Sequence, residues 1–405
     1  MRFLVLTQYF RPETGAPQVR LAAMIRELLR LGHTVEVVTA LPNYPNGKIF
    51  SAYQKCFYRL EEWEGVRIHR VWMYAATGAG IKRLLNYFSF MITALWGLRK
   101  SQKPDYLFVE SPPLFLGLSG FLAAKRWGVP FILNVADLWP DSIRLLGLMR
   151  EGFALKLAGK LESWLYRKAG FVNAVTEGIR EILIHDKQVP AGKVLFLPNG
   201  IDTDLFRPQP VDATWKASLG LPDEKHIILY TGTHGYAHGM EVILEAAKLL
   251  REVNVLFLLV GGGSEKNALE KLCTHLALKN VIFLSSHPPE MIARLYSLAT
   301  AGISTLRDSP LFEATRPVKI LSIMACGKPV LYSGAGEGAR LVTKAKAGII
   351  IPPENPSALA DAIRSLISDV AYTAQLGNNG RAYVKKHLQW ASVITTWLQQ
   401  LYNSQ

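Results

Sequence analysis

The stretch LPNGIDTDLFRP, Leu197 to Pro208, decides the fold. Before it, short apolar runs alternate with amphipathic helical segments, and after it the same alternation begins again. Asn199-Gly200 is a turn pair that tolerates positive φ, and Pro198 and Pro208 stop regular structure on either side. The stretch reads as a hinge between two α/β halves, doubly wound and Rossmann-like, facing each other across a cleft that could hold two substrates together. Asp202-Thr203-Asp204 within it reads as turn chemistry, not as a metal-nucleotide triplet.

Outward toward the start of the chain, Phe3–Thr7 is a buried strand, followed by the loop QYFRPETGAPQ, a helix Val19–Leu31 and a second strand Thr34–Thr39. Together they make one βαβ unit. A strand pair around Tyr58–Tyr74, an apolar helix Ile81–Arg99 and core strands at Tyr106–Glu110, Phe131–Val135, Phe171–Val175 and Lys193–Leu197 follow. Past the hinge, strands are expected at Ile227–Tyr230, 255–260, 281–284, 301–305 and 329–332 with helices between them, and only helices beyond 337. The apolar runs are short and do not alternate, as expected of parallel strands covered on both faces. The expected domains are 1–197 and 198–385, with a C-terminal helical segment 386–405 packing across their junction.

The bulk properties narrow the function. With 405 residues, 49% of them hydrophobic and 19% charged, the chain can build two cores. Cys56, Cys273 and Cys326 are widely separated and show no C-x-x-C spacing, which predicts neither a disulfide framework nor a zinc site and makes a reducing cytoplasm the default. Of the net charge of +14, residues 1–180 carry +11, from 24 Lys and Arg against 13 Asp and Glu. Such a basic half suits nucleic acid, anionic lipid or phosphorylated substrates. Its basic residues are scattered among apolar segments without a recognition motif, which argues against nucleic acid. MRFLVLTQYF lacks a signal-peptide shape, and the longest uncharged apolar stretch, Leu84–Leu98, is shorter than the roughly 20 residues that span a bilayer. Its helix is bracketed by Lys82-Arg83 and Arg99-Lys100, and it suits a core helix or an interfacial one lying on anionic lipid.

In open α/β sheets ligands bind beyond the carboxyl ends of the strands, so four loops carry the chemistry. In the first, Gly15 and Ala16 lead into a helix whose free N–H groups suit an anion, without the G-x-G-x-x-G dinucleotide fingerprint. In the second, VADLWPDS, Asp137 follows a buried strand and is expected to be poorly solvated; it could orient a sugar hydroxyl, assist proton transfer or cap the next helix. The third, YTGTHGYAHGMEV, puts Thr233, His234, Gly235 and His238 before a helix, a pattern that could cradle phosphates and add imidazole donors. The fourth runs from Leu311 to Val330 and holds Glu313, Arg316 and Lys319. A lysine in a first helical turn opposes the helix dipole unless an anion sits there.

These loops, with LGHTVEVVTALPNYPNGKIF, VESPPLFLGL, VTEGIR, LPNGID and GAGEG at Gly334–Gly338, resemble glycosyltransferase family 4 of GT-B architecture, essentially end to end. Within that family they are most similar to the bacterial branch that adds amino sugars such as N-acetyl-L-fucosamine in O-antigen, capsule and colanic-acid assembly. The resemblance implies a retaining, metal-independent transferase without a cofactor. Its second half would bind a UDP-sugar, and its first half a polyprenyl-diphosphate-linked saccharide at the cytoplasmic face of the inner membrane. By the same resemblance the diphosphate lies on Gly15-Ala16 and on Thr233–Gly235, Arg316 and Lys319, with Gly336 nearby, and Asp137 and Glu337 contact the sugar. Two positions depart from the family pattern. Ser322 stands where the second glutamate of an E-x7-E pair holds the ribose, with Ala314, next to Glu313, at the first; and His234 and His238 occupy a loop that commonly carries an arginine-lysine pair. Two other readings share this architecture: a UDP-sugar 2-epimerase, and a non-catalytic scaffold with a degenerate nucleotide-sugar site.

Overall fold

The computed structural model describes residues 1–13, 15–76, 80–141, 152–222 and 224–404. The chain forms two compact units, one of residues 1–199 with 393–405 and the other of residues 200–392.

The first unit is built on a sheet of eight strands: β1 (Arg2–Leu6), β2 (Thr34–Ala40), β3 (Tyr58–Trp63), β4 (Val66–Val71), β5 (Tyr106–Ser111), β6 (Phe131–Val135), β7 (Phe171–Ala174) and β8 (Val194–Phe196), in the order β3-β4-β2-β1-β5-β6-β7-β8. All neighbours are parallel except β3 and β4, which pair antiparallel. The helix after β1, α1 (Ala16–Arg30), starts three residues earlier than the apolar periodicity suggests, because Pro17 presets the first turn. The apolar helix is α2 (Ile81–Lys100). Asn86, Phe90, Ala94 and Leu98 are buried on one face, while Ile81, Leu85, Phe88, Ile92 and Trp96 form an exposed stripe on another. Helix α3 (Leu116–Trp127) follows β5. A groove of about 410 Å³ opens between Leu84 and Phe88 of α2, Phe115 and Leu118, Trp139, and Leu157 of the helix Phe153–Lys168.

The second unit has six parallel strands: β9 (His226–Thr231), β10 (Val255–Val260), β11 (Val281–Leu284), β12 (Ala301–Thr305), β13 (Val330–Ser333) and β14 (Gly348–Ile351), ordered β11-β10-β9-β12-β13-β14. Ile227 and Leu229 belong to one apolar core and Ile228 and Tyr230 to the other, so the sheet is buried on both faces. Burying each such side chain contributes about 1.5–3 kcal/mol. The chain reverses direction across the sheet between β9 and β12, which makes the loops after those two strands a topological switch point. Strand β14 is missing from the sequence reading, which expects only helices beyond 337. Its four residues, GIII, lie at the sheet edge and only Ile351 is fully buried, so the run is too short and too exposed to register as a core strand.

The C-terminal helix Trp390–Asn403 carries the chain back into the first unit from Val393 onward. There Trp397, fully buried, stacks near Phe3 and Phe108, with ring centroids 5.9 and 6.1 Å away.

Candidate active site

At the switch point of the second unit the backbone after β9 turns at Gly232, whose φ of 125° L-residues rarely adopt. A Cβ there would lie 3.4 Å from Nζ of Lys319. Lys319 stands in the first turn of the helix Val318–Ala325, which begins at Pro317 and has no acidic residue in that turn. Its ammonium sits 3.7 Å from the centroid of the Tyr230 ring and has no hydrogen-bond partner. Burial holds its pKa down to about 7, far below the ordinary lysine value. Among the described residues a ring face is the local compensation for this desolvated ammonium, and such a group favours an anionic partner.

Arg316, three residues before Lys319, pairs with Glu337. Their side chains are both nearly fully buried and approach to 3.7 Å, and Arg340 reaches Glu337 at 3.4 Å from the next helical turn. Glu337 lies in the first turn of the helix Gly336–Ala345. Gly336 has a φ of 67°, and a Cβ on it would fall 2.1 Å from the carbonyl oxygen of Glu313. Only glycine lets the Glu313–Arg316 loop cross the start of that helix. Glu313 itself is exposed and Ser322 is buried on the helix that carries Lys319.

The histidines differ from the expectation of imidazoles pointed at phosphate. His234 is wholly buried, with its ring edge-on to Tyr230 and Phe283. Its backbone N–H donates to Gly262 at 2.8 Å, and a Cβ on Gly263 would meet its carbonyl oxygen at 2.4 Å. The triple glycine 261–263 after β10 thus clamps the loop, a signal visible in the sequence and overlooked there. Burial, with the cations of Lys266 and Lys319, lowers the His234 pKa to about 4. His238 is half-buried; burial, chiefly, and Lys319 bring it to about 4 as well. Its Nδ1 faces the Thr305 carbonyl at 3.3 Å, so a neutral ring donates there and leaves Nε2 as an acceptor. Thr233 is exposed and its carbonyl accepts from the Tyr230 hydroxyl at 2.7 Å; Gly235 has room for a side chain.

Three expected residues belong to the first unit. Gly15 precedes α1 in extended conformation, with φ of −178°, and Ala16 is the first residue of that helix. Asp137 is exposed, contrary to the expectation of a poorly solvated carboxylate. The chain bends at 136–137 and buries Trp139 and Pro140, which sends Asp137 to the solvent side. Asp141 pairs with Lys187 at 2.6 Å, while Asn134 enters a buried polar row that the sequence did not disclose. Arg20 pairs with Glu110, Asn134 donates to Glu110 at 2.9 Å, Asn173 donates to Asn134 at 2.5 Å, and Trp397 donates to Asn173 at 3.1 Å.

Among the described residues no three His, Cys, Asp or Glu side chains gather as a metal-binding set. No helix among them is long and apolar enough to cross a membrane.

Two largely parallel sheets, one in each unit, make a two-domain α/β fold with a buried lysine at the switch point of the second. The glycosyl transferase 4-like domain model matches residues 15–200, and the glycosyl transferases group 1 model matches residues 211–383. The chain belongs to the family-4-type glycosyltransferases of GT-B architecture. It is 28% identical over 381 residues, 91% of its length and 92% of the relative's, to WcaI of Escherichia coli K12, a glycosyl transferase whose name places it provisionally in colanic acid biosynthesis. Sucrose-phosphate synthase of Thermosynechococcus elongatus superposes with a TM-score of 0.78 at 21% identity, covering 99% of this chain and 98% of that one. Anabaena Alr3699/HepE, solved with UDP, superposes with a TM-score of 0.74 at 18% identity over the whole of both chains.

Proposed function

We propose that this glycosyltransferase moves a sugar, an amino sugar in the first instance, from a UDP-sugar to a lipid-diphosphate-linked saccharide in surface polysaccharide assembly. The observation that carries the reading is the Lys319 ammonium, desolvated and without a hydrogen-bond partner beside Gly232. A diphosphate there would restore the lost solvation and keep the lysine protonated. The same cation, with Arg316, would stabilise charge on the leaving diphosphate as the sugar develops oxocarbenium character, so the reaction would need neither metal nor cofactor. Glu337, held between Arg316 and Arg340, would accept from sugar hydroxyls, and His238 Nε2 would be a second acceptor. Roles for Asp137, Gly15 and Ala16 and the retaining outcome rest on the family resemblance alone. Support for UDP comes from the Anabaena neighbour, which was solved in complex with that nucleotide, and for polysaccharide assembly from the colanic-acid relative.

The exposed stripe of α2 and the cations at both its ends support peripheral attachment to an anionic membrane from the cytoplasmic side. Calorimetric titration with UDP and with GDP tests the nucleotide. UDP should bind and GDP bind at least tenfold more weakly; binding of neither would overturn the reading. Incubation with UDP-N-acetyl sugars and a lipid-diphosphate saccharide in EDTA, with the product anomer read by NMR, tests the chemistry. An inverted linkage, or turnover that EDTA abolishes, would refute the mechanism.

A further inference from the structure

The turn that carries His238 has little to hold it from within. Gly232, Gly235 and Gly239 surround it, and a glycine-rich segment loses more backbone freedom than any other when it is fixed. Its own backbone bonds run from the His238 N–H to the Gly235 carbonyl at 3.0 Å and from the Gly239 N–H to the Tyr236 carbonyl at 3.2 Å. Further contacts come from the end of β12 and the loop after it. The Thr305 hydroxyl donates to the His238 carbonyl at 2.5 Å, and Arg307 follows two residues later.

Arg307 lies along this turn for most of its length. Its backbone N–H donates to the Ala237 carbonyl at 3.0 Å and its Nε to the Tyr236 carbonyl at 2.8 Å, and its guanidinium lies 4.5 Å from the centroid of the Tyr236 ring. A Cβ on Gly239 would fall 2.9 Å from Arg307 Cγ, so the chain leaving His238 runs against the same side chain. The other two nitrogens are anchored outside the turn. Nη2 pairs with Glu241 at 2.6 Å, in the first turn of the helix Glu241–Leu249, and Nη1 with Glu354 at 3.0 Å, in the loop after β14. Both carboxylates are partly exposed, so each pair alone is weak. Together they fix a planar fork in one orientation, which the single nitrogen of a lysine could not reproduce. Loops after β9, β12 and β14 are thereby joined beyond the carboxyl ends of their strands, where the switch point lies.

The geometry points to Arg307 as a positioning residue of the sugar-nucleotide site: it holds the Tyr236–His238 turn in place in the ligand-free protein, so that His238 Nε2 is presented to the sugar. A turn ordered in advance need not be ordered by the ligand, and that saving appears as affinity. The inference rests on the transferase reading and on His238 as a hydroxyl acceptor, and it adds the residue through which that acceptor is set.

The test titrates UDP-N-acetylglucosamine calorimetrically into the full chain and into Arg307→Met, Arg307→Lys, Glu354→Gln, His238→Ala and the double variant Arg307→Met with His238→Ala. Arg307→Met should weaken binding about three- to tenfold, as expected for loss of one positioned hydrogen bond. Arg307→Lys should restore part of that, and Glu354→Gln, which removes one anchor, should weaken binding less. In the His238→Ala background Arg307→Met should weaken binding no further, because it acts through that ring. A second readout needs no ligand. Burial, with Lys319 and His234 nearby and against the bond to the Thr305 carbonyl, holds the His238 pKa at about 4, and a released turn would expose the ring. NMR titration of the imidazoles between about pH 5 and 8, with His238→Ala assigning the signal, should find His238 neutral throughout in the wild type and titrating in Arg307→Met. Unchanged affinity in Arg307→Met, or an equal loss in the His238→Ala background, would overturn the assignment, as would a His238 titration that does not move. A wild type that binds no sugar nucleotide would overturn the transferase reading instead. The NMR titration would then judge Arg307 by itself, in its favour if the signal moves and against it if the signal stays.

Discussion

Replacing Lys319 by methionine should make the ligand-free protein more stable while weakening its hold on UDP. The structure supplies the magnitude. Burial brings the ammonium from its ordinary value of 10.5 down to about 7, and each pKa unit corresponds to about 1.4 kcal/mol. Keeping that group in the fold at pH 7 therefore costs up to about 4 kcal/mol, and methionine, which retains the packing without the charge, should recover about 2–4 kcal/mol. Between pH 7 and 10.5 the unfolded chain holds this proton and the folded chain does not, so wild-type stability rises with pH across that window. The penalty is complete below pH 7, and the variant should lack this dependence. A bound diphosphate would keep Lys319 protonated, so UDP binding should take up a proton above pH 7 and weaken by up to tenfold per unit. Loss of the charged contact should lower UDP affinity about 10- to 100-fold. Urea denaturation at pH 7 and pH 9.5, with calorimetry at the same values, reads both effects. A variant less stable than the wild type at pH 7, or one that binds UDP equally well, would refute the reasoning.

Gly336→Ala should destabilise the second unit by about 2 kcal/mol or more, from the positive φ and the clash with the Glu313 carbonyl, and should lower UDP affinity with it; denaturation midpoints and calorimetry measure the two together. Trp397→Phe keeps the ring but leaves Asn173 Oδ1 short of a buried donor, and should lower the melting temperature by an amount equivalent to about 1–3 kcal/mol without altering UDP affinity. Paired substitution Ile92→Glu and Trp96→Glu on the exposed stripe should abolish sedimentation with anionic vesicles at low salt, leaving the fold unchanged by circular dichroism. Vesicle binding that persists in the double variant would rule out this face.

The two-unit architecture was legible because each strand and helix advertises itself locally. Apolar runs such as VLFLLV at Val255–Val260 and the proline-bounded turn at Asn199-Gly200 need no distant partner to be read. The four ligand loops were legible for the same reason, since each follows a strand, and the apolar run after Lys319 already put that lysine at the start of a helix. Strand β14 escaped because a four-residue edge strand has almost no pattern of its own.

What the tertiary structure decided is which groups face each other and which face water. His234 looked like a ligand-binding histidine in a glycine-rich loop, yet residues 261–263, far along the chain, close over it and bury it. Asp137 looked desolvated beside a buried strand, yet one bend turned it outward. Glu110, Asn134 and Asn173 lie on three strands far apart in the sequence. They stand in register on adjacent strands and form one row ending at Trp397. Periodicity and turn chemistry act over a few residues, and the sequence alone determined what they control. Burial, pairing and the desolvation of Lys319 depend on strand order and on contacts between residues tens to hundreds of positions apart, and only the folded chain sets those.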